Sequence, residues 1–377
     1  MKVVYRFWFD IIMSIIYIVS DYGKLVKNGD VLQLKKGNDI FKTIFPFKTE
    51  QLVVMGNIEI TSPALRMLMH HNIDAIFLGN NGKFNGKITF QDGKSKNVFL
   101  RQKQYKLLDD EDFCLKIAKS IVSSKLQNQY SFMQRIKRKR DGDPSIIKNI
   151  DNMKSIADAV SESKDIEQLR GYEGLGSKYF FDVFKYAIDP EWAKFNGRNR
   201  RPPKDSVNAI LSLLYTLVLF RVDAALESAG LDSYVGYFHS IDYGRKALVL
   251  DLMEEYRTPI ADTLTAALFN LGVLEKEDFI ETVFSKNDEE FPLEIEADDN
   301  DEKDDNKFIS SETKGVLLTK QGMRKVLAQF ERKLDTEAYY QPLGRNITYK
   351  DLFFEQAKHF RMVVNGEESN YKPLTQR

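Results

Sequence analysis

The chain has 377 residues, of which 43% are hydrophobic and 29% are charged, and its formal net charge at pH 7 is zero. This is the composition of a soluble globular protein that is long enough for two domains. Because Cys114 is the only cysteine, an intramolecular disulfide and a cysteine-based zinc site are excluded, and a reducing, cytoplasmic location is expected. With only four histidines in the chain, any metal site would depend mainly on carboxylates.

The N-terminal stretch FWFDIIMSIIYIV is the only candidate for a targeting segment. It is short, is interrupted by Asp10 and lacks a small-residue cleavage site, so it predicts a buried first strand rather than a membrane span or a signal peptide. Met13 would itself be a suitable start before that strand, so residues 1–12 are interpreted as an extension.

Residues 15 to about 100 are predicted to form a β-rich domain. Segments rich in β-branched and aromatic residues alternate there with Gly, Asn and Asp; they are IIYIV, GDVLQLKK, QLVVMGNIEI, IDAIFLG and GKFNGKITF. One helix, Ser62–His71, is predicted among them, because Pro63 suits a first turn and apolar residues then recur at helical spacing. His70 and His71 end this helix, where a capping or surface position is expected rather than a metal site.

From Arg101 onward, apolar residues recur every three or four positions and predict an all-helical second domain. The predicted helices cover about 103–141, 147–159, 172–188, 204–229, 248–271, 275–285, 319–334 and 349–364. The expected fold class is therefore α+β, with a β-rich N-terminal domain over 1–100 and a larger all-α domain over 101–377. Residues 286–312 are acidic and poor in apolar residues, and they are interpreted as an insertion into the second domain.

The net charge of zero hides a strong asymmetry. Between Asp288 and Asp305, eleven acidic residues accompany one lysine, so this tract carries −10 and the rest of the chain about +10. A folded body with that surplus is compatible with a polyanionic partner. The QRIKRKR run, residues 134–140, closes a long predicted helix, and either phosphate contacts or a solvated helix end would explain it equally well.

The stretch His239–Arg257, HSIDYGRKALVLDLMEEYR, places a histidine before a short turn and then a helical run with three acids: Asp251, Glu254 and Glu255. Acids spaced i, i+3 and i+4 share one face of a helix, and a chain reversal at Tyr243-Gly244 would bring His239 to that face. Carboxylates with an imidazole suit a divalent metal such as Mn or Mg. The alternative is that these acids form the solvated face of an amphipathic helix.

A second acid lies in LRGYEGLGSKYFFDVF, residues 169–184. Tyr and Phe side chains recur there at helical spacing, and Glu173 stands outside that apolar stripe among three glycines. We expect Glu173 in the first turn of a helix, where it would either bind a ligand or interact favourably with the helix dipole.

A cationic loop precedes the next predicted helix. Pro202 and Pro203 brace this loop, and the helix is expected to be capped near Asp205 or Ser206. Its cations are Arg198, Arg200, Arg201 and Lys204. Cations on a rigid loop before a helix N-terminus suit phosphate contacts.

Four motifs in the predicted helical domain and one segment of the β-rich domain resemble Cas1, the CRISPR-associated integrase. GRNRRPPKDSVNAILSLLYTL, followed by AGLDSYVGYFH and GRKALVLDLMEEYR, is similar to the helical domain of that family. GYEGLGSKYFF resembles its glutamate motif, and VVMGNIEITSPALRMLMHHNIDAIFLGNNGKFNGKI resembles its N-terminal domain. The resemblance covers about residues 15–285 and resumes in the last helices. Residues 1–12 and the long acidic insertion depart from the family pattern, but neither touches these motifs.

The resemblance implies a β domain joined to a helical domain, with metal-dependent DNA nuclease and integrase activity that uses Mg²⁺ or Mn²⁺. It implies that Glu173, His239 and Glu254 are the metal ligands. Asp251 would coordinate the metal or orient a bound water, and Glu255 would be a bystander. These four motifs in the right order favour the metal interpretation over a solvated helix face.

The implied reaction is attack by the 3′-hydroxyl of a short DNA duplex, the spacer, on a phosphodiester at a CRISPR repeat boundary, and water in place of the hydroxyl gives nuclease activity. Asn208 and Tyr215 would face the site. Phosphate contacts are expected from six cations: Arg198, Arg201, Lys204, Arg245, Lys246 and Arg257. The resemblance also implies a homodimer and a small bridging protein, Cas2, with no role for a membrane.

Two other functions stay open at the level of sequence. One is a stand-alone metal-dependent DNA nuclease in repair. The other is a non-catalytic DNA-binding scaffold in which the acids are solvated, and it predicts no metal-dependent cleavage.

Overall fold

A computed structural model describes residues 14–79, 84–89, 97–140, 142–199, 202–285 and 312–376. The described residues form two compact units, one ending at residue 89 and the other beginning at residue 97. Three predicted features lie outside the described residues: the extension over 1–12, the acidic insertion as far as residue 311, and Arg201.

The first unit is a six-stranded sheet with strand order β3-β2-β1-β4-β5-β6. The strands are β1 (Ser14–Asn28), β2 (Val31–Lys36), β3 (Asp39–Ile44), β4 (Thr49–Ile60), β5 (Asp74–Leu78) and β6 (Phe84–Ile88). β4 is parallel to both β1 and β5, whereas the other neighbouring strands are antiparallel. The β-rich prediction for this region is therefore confirmed, although β3 was not among the predicted segments.

Helix α1 (Ser62–His70) connects the parallel strands β4 and β5. It begins after Thr61, whose side-chain oxygen accepts a hydrogen bond from the Ala64 backbone N–H, and Pro63 lies in its first turn. Its buried face includes Leu68, which packs into the apolar core beside the sheet. His70 and His71 lie exposed at its end, so the predicted helix and the surface position of both histidines are confirmed.

The second unit is mostly helical. Its helices are α2 (Val98–Lys106), α3 (Glu111–Lys139), α4 (Pro144–Ala159), α5 (Ile166–Phe184), α6 (Ser206–Ala229), α7 (Ala247–Tyr256), α8 (Thr263–Asn270), α9 (Lys320–Leu334) and α10 (Tyr349–Asn365). A π-helical turn, Arg257–Asp262, joins α7 to α8. A β-sheet unit followed by a mostly helical unit confirms the predicted fold class.

Two antiparallel hairpins correct the description of this unit as all-helical. They are β7 (Phe279–Ser285) with β8 (Glu312–Leu318), and β9 (Glu337–Tyr340) with β10 (Arg345–Thr348). The helix predicted over 275–285 is wrong because FIETVFS pairs with β8, on the far side of the acidic insertion. Long-range pairing of this kind overrides a local helical pattern.

Helix α6 is the central helix of the second unit. It is long and apolar enough to cross a membrane by length and composition, with a mean hydropathy of 1.8, but 83% of its most apolar window is buried within the protein. Asp205 caps its start, as predicted, because its side chain accepts a hydrogen bond from the Asn208 backbone N–H. A helix that is apolar on all sides is typical of a protein core.

Helices α3 and α5 approach closely at Gly176, where an added Cβ would lie 2.2 Å from Leu126 Cδ2. We expect Gly176→Ala to lower the free energy of unfolding by about 1–3 kcal/mol, because overpacking outweighs the better helix propensity of alanine. Gly171 is a matched control in the same helix, since an added Cβ there meets nothing within 4 Å. Gly171→Ala should raise stability by about 0.5–1 kcal/mol in urea unfolding. Equal gains for both variants would show that the two helices do not meet at Gly176.

Candidate active site

Four buried ionisable side chains from separate segments of the second unit lie together. They are Lys125 on α3, Glu173 on α5, Glu254 on α7 and His239 in the loop before α7. Lys125 Nζ contacts Glu173 Oε1 and lies 2.7 Å from Glu254 Oε2. His239 Nε2 lies 4.0 Å from Glu254 Oε1. The three side chains predicted as metal ligands are thus brought together, and the sequence interpretation missed Lys125.

Glu173 lies in the interior of α5 and not in its first turn. Asp165 caps this helix by accepting a hydrogen bond from the Gln168 backbone N–H, so the helix begins at Ile166 and continues through the glycines. The expected first-turn position is therefore wrong, and with it the interpretation of a helix-dipole interaction. Glu173 is 6% exposed, and its Oε1 also accepts a hydrogen bond of 2.9 Å from Ser177 Oγ.

Asp251 is fully buried and holds the loop that carries His239. Its carboxylate accepts hydrogen bonds from the backbone N–H groups of Tyr237, Phe238 and His239, at 2.6, 3.1 and 2.8 Å. The same carboxylate lies 2.7 Å from His239 Nδ1. With the Asp251 oxygens accepting the backbone hydrogen bonds, the matching tautomer of His239 donates from Nδ1, and Nε2 is the ring nitrogen presented towards Glu254.

Gly236 makes this arrangement sterically feasible. An added Cβ at Gly236 would lie 2.6 Å from the Ala247 backbone carbon and 2.8 Å from Asp251 Oδ2. A contact that close with a backbone atom cannot be relieved by a rotamer change. The glycine in the GYFH motif therefore permits close approach of the loop to the first turn of α7.

Glu254 also contacts Arg257, which lies in the π-helical turn directly after α7. Arg257 Nη1 lies 3.2 Å from Glu254 Oε1, and the guanidinium stands 5.1 Å from the centre of the Tyr215 ring. Arg257 is 6% exposed. This predicted phosphate contact is thus buried against Glu254 and Tyr215.

Tyr215 and Asn208 were expected, from the resemblance, to face the site. Tyr215 contacts Asp262 and two arginines, whereas Asn208 contacts the cationic loop. The Tyr215 hydroxyl donates a 2.6 Å hydrogen bond to Asp262, whose carboxyl pKa is raised to about 6 by burial. The Arg198 guanidinium lies 5.3 Å from the same ring, so Tyr215 contacts two cations. Asn208 is fully buried, and its Oδ1 accepts hydrogen bonds from Arg198 and from the Asn199 backbone N–H. Asn208 therefore fixes the cationic loop.

Three other predicted phosphate contacts lie in the described part of the chain. Lys204 is exposed on the proline-braced loop. Arg245 is half-buried and donates to Ser240 Oγ at 2.8 Å, and the half-buried Lys246 lies 2.6 Å from an Asp223 carboxylate oxygen. Within this group, Lys204 is the side chain most accessible to a ligand.

All three acids of α7 are buried, with Glu255 only 2% exposed. The interpretation of these acids as a solvated helix face is therefore wrong. Glu255 binds the C-terminal segment, because its carboxylate accepts hydrogen bonds from the Tyr371 hydroxyl at 2.5 Å, from Gln356 Nε2 at 3.2 Å and from the Leu374 backbone N–H. Its expected bystander role towards the metal stays a prediction.

The free energy of unfolding should depend on pH because of Glu255. Burial raises the pKa of this carboxyl from 4.5 to about 8, despite three hydrogen bonds that favour the ionised form. The folded chain therefore keeps a proton that the unfolded chain loses, and the free energy of unfolding falls as pH rises from about 4.5 to about 8, by at most about 1.4 kcal/mol per pH unit. We expect urea unfolding to show a loss of about 1–2 kcal/mol between pH 6.5 and pH 8. Glu255→Gln should flatten this slope, and an unchanged slope would assign the dependence to other groups.

The donor chemistry of the cluster fits Mg²⁺ or Mn²⁺. Two carboxylates and an imidazole are available, and the 4.0 Å between His239 Nε2 and Glu254 Oε1 falls within the spacing of about 3–4 Å for two ligands of one six-coordinate ion. Among the described residues, however, no group of three His, Cys, Asp or Glu side chains is arranged to hold an ion as it stands. The two carboxylates converge instead on the ammonium of Lys125.

Comparisons with known proteins agree on one family. The family model described as "CRISPR associated protein Cas1" matches residues 16–285. A "CRISPR-associated endonuclease Cas1" from Leptospira interrogans is 36% identical over 283 residues, covering 73% of this chain and 98% of the relative. "CRISPR-associated endonuclease Cas1 3" from Thermus thermophilus is 28% identical over 367 residues, covering 97% of this chain and 98% of the relative.

Solved structures share the fold over nearly the whole chain. A CAS1 protein from Thermotoga maritima has a TM-score of 0.74 at 20% identity, covering 97% of this chain and 100% of that one. A casposase bound to integration product has a TM-score of 0.76 at 19% identity, covering 97% and 95%. A chain of a Cas6-RT-Cas1–Cas2 complex has a TM-score of 0.75 at 23% identity, covering 96% of this chain and 36% of that one.

Proposed function

The chain belongs to the CRISPR-associated protein Cas1 family, and on that premise we propose that it is a metal-dependent DNA integrase and endonuclease. Its substrates would be a short spacer duplex and a CRISPR repeat in the cytoplasm. The observation that carries the proposal is the convergence of Glu173, His239 and Glu254 in one buried cluster, from segments far apart in the chain. Buried acids and imidazoles grouped in this way are typical of functional sites.

The names of similar proteins support the same chemistry. The curated relatives are endonucleases, and one chain of similar fold is a casposase bound to an integration product. Strand transfer and cleavage are one reaction with two nucleophiles. In transfer, the 3′-hydroxyl oxygen of the spacer forms a bond to the repeat phosphorus, the bond from that phosphorus to the 3′-oxygen of the repeat breaks, and the departing oxygen takes up a proton as the attacking hydroxyl loses one. In cleavage the same bond breaks, and a water oxygen takes the place of the spacer oxygen.

In the proposed mechanism, Glu173, His239 and Glu254 would hold Mg²⁺ or Mn²⁺, which would supply stabilisation of negative charge on the oxygens of the reacting phosphate. Asp251 holds the proton on His239 Nδ1, so Nε2 would be the ring nitrogen that binds the metal. Arg257 fixes the Glu254 side chain, and Ser177 fixes that of Glu173. The chain's own contribution is thus to hold the three donors at defined positions before DNA arrives.

The cations on the loops that precede α6 and α7 support DNA binding. Lys204, Arg245 and Lys246 lie on the loops that precede α6 and α7, and Lys204 is exposed. The surplus of positive charge outside the acidic tract would attract DNA as a whole.

DNA affinity should therefore fall steeply with salt. Each phosphate contact adds about −0.9 to the slope of log affinity against log salt for duplex DNA. We expect Lys204→Ala to reduce the magnitude of that slope by about 1 in fluorescence anisotropy titrations. Lys154→Ala removes an exposed lysine from α4 and should leave the slope unchanged. A salt response that is flat for the wild type would contradict electrostatic DNA binding.

The first unit supports the proposed homodimer. Strand β3 lies at the edge of the sheet, and large apolar side chains are exposed on it and on the turn that follows, namely Ile40, Phe41, Phe45 and Phe47. Exposed aromatic residues at a sheet edge are typical of a surface that pairs with another chain. Cas2 is the proposed bridging partner, and one chain of similar fold lies in a complex that contains Cas2. Light scattering that finds a monomer would contradict the dimer.

Incubation with a short duplex and a repeat-bearing plasmid, in Mg²⁺, Mn²⁺ or chelator, tests the proposed function. Joined products that need the metal and form at the repeat boundary support integration. Metal-dependent cleavage without joining would identify a stand-alone nuclease instead. DNA binding with neither product would identify a scaffold.

A further inference from the structure

Lys125 is the cation at the centre of the cluster, and it is 4% exposed. Its ammonium contacts Glu173 and lies 2.7 Å from Glu254 Oε2, so it bridges the two carboxylates that the proposed function gives to the metal. The adjacent Leu126 packs against Gly176, so the backbone position of Lys125 is set by the packing of α3 against α5.

A buried lysine and two buried carboxylates depend on one another. Each charge would be strongly disfavoured in the interior without an opposite charge in contact with it. Lys125 therefore keeps Glu173 and Glu254 side by side when no metal is present. The same contact blocks the metal, because an ammonium and a divalent cation cannot share two carboxylates at contact distance.

We propose that Lys125 is an internal counter-ion that occupies the position of the divalent cation and couples metal binding to DNA binding. This inference rests on the proposed metal site. When the metal takes the two carboxylates, the ammonium must move to another anion. The phosphodiester of a bound DNA strand supplies that anion beside the site, and the flexible four-carbon stem of lysine permits the movement.

The coupling has a definite consequence for affinity. Metal binding without DNA takes Glu173 and Glu254 from the ammonium, whereas in the presence of DNA a phosphodiester replaces them. Metal and DNA should therefore each strengthen the binding of the other by the same factor. While Lys125 bridges the two carboxylates, the protein should bind its metal weakly, and DNA should strengthen that binding.

The dissociation constant of Mn²⁺, measured by electron paramagnetic resonance of the free ion, tests this coupling with and without a short duplex. We expect the wild type to bind Mn²⁺ at least about tenfold more tightly with DNA, a coupling within the usual range. Lys125→Met, of similar length and no charge, should bind Mn²⁺ about tenfold more tightly than the wild type without DNA, and DNA should add little. Lys325→Met is the matched control, because Lys325 pairs with Asp278 at 2.7 Å outside the cluster, and it should behave as the wild type.

Lys125→Arg provides a second variant that retains the charge. A guanidinium bridges two carboxylates more firmly than an ammonium, so this variant should bind Mn²⁺ more weakly than the wild type without DNA. If Lys125→Met is unstable in chelator, the variant is purified in Mn²⁺ and its melting temperature is compared with and without the metal. A melting temperature that is higher with Mn²⁺ supports the proposal, since the metal then replaces the missing cation.

The outcomes separate this inference from the proposed function. Suppose that Glu254→Gln abolishes Mn²⁺ binding, while Lys125→Met binds Mn²⁺ as tightly as the wild type or more weakly. The metal site would then stand, and only the counter-ion role of Lys125 would be overturned. An absence of Mn²⁺ binding in every variant, with and without DNA, would overturn the metal site and this inference together.

Discussion

Glu254→Gln and His239→Ala should each lower strand transfer by about 100- to 1,000-fold while the chain stays folded. Each change removes one of the three proposed ligands, and with it the placement of charge beside the reacting phosphate. The geometry makes Glu254 the more sensitive position, because it lies between His239, Lys125 and Arg257. The measurement is the rate of joining a labelled duplex to a repeat-bearing plasmid, with circular dichroism as the check of folding.

His359 offers a matched control for the histidine variant. It is 6% exposed, as His239 is, and its Nε2 accepts a hydrogen bond from the Lys372 backbone N–H in the C-terminal segment. His359→Ala should lower the melting temperature but keep strand transfer. If well-folded His239→Ala and Glu254→Gln proteins both join DNA at the wild-type rate, the proposed site is wrong.

Asp251→Asn should weaken Mn²⁺ binding by about 10- to 100-fold, the usual effect of removing a partner that orients a metal-binding histidine. The shape of the side chain is kept, but an amide has one accepting oxygen where the carboxylate has two. Both carboxylate oxygens are in use, on three backbone N–H groups and on His239 Nδ1. The variant therefore either loses a loop hydrogen bond or turns its NH₂ group towards the histidine and changes the tautomer.

Asp278→Asn is the control for this change, because Asp278 is also buried, at 3% exposed, and accepts a hydrogen bond from Lys325 in another part of the unit. It should cost stability without changing Mn²⁺ affinity. A metal affinity that stays at the wild-type value in Asp251→Asn would mean that this carboxylate holds the loop alone and has no influence on the ligand.

Local patterns were sufficient for most strands of the first unit and for the starts of two helices. Alternating β-branched residues predicted most strands, Pro63 predicted the start of α1, and Asp205 predicted the start of α6. Each of these features depends on residues within a few positions of one another, so the sequence displays it directly. The three proposed ligands came from motif resemblance, since nothing in the spacing of Glu173 and His239 indicates that α5 and the loop before α7 meet.

Features that depend on tertiary contacts were missed. Lys125 precedes Glu173 by 48 positions on a helix with mixed polarity, where a lysine is expected to be solvated. Lys125 is buried because α3 packs against α5 and α7, and the residues around Lys125 in the sequence do not indicate that packing. The burial of Glu255 likewise requires the C-terminal segment, and β7 requires its partner on the far side of the acidic insertion.

The apolar character of α6 has a consequence for how the chain is made. One side of this helix is covered by α10, where Phe353 and Ala357 line a small gap against Val222 and Leu226. Helix α10 begins about 120 residues after α6 ends, which at typical synthesis rates is a delay of about 6–24 s. During that interval the side of α6 that α10 covers stays exposed on the nascent chain. Chaperone capture on the ribosome, or aggregation when the chain is overproduced, should therefore involve α6 before any other helix of this unit.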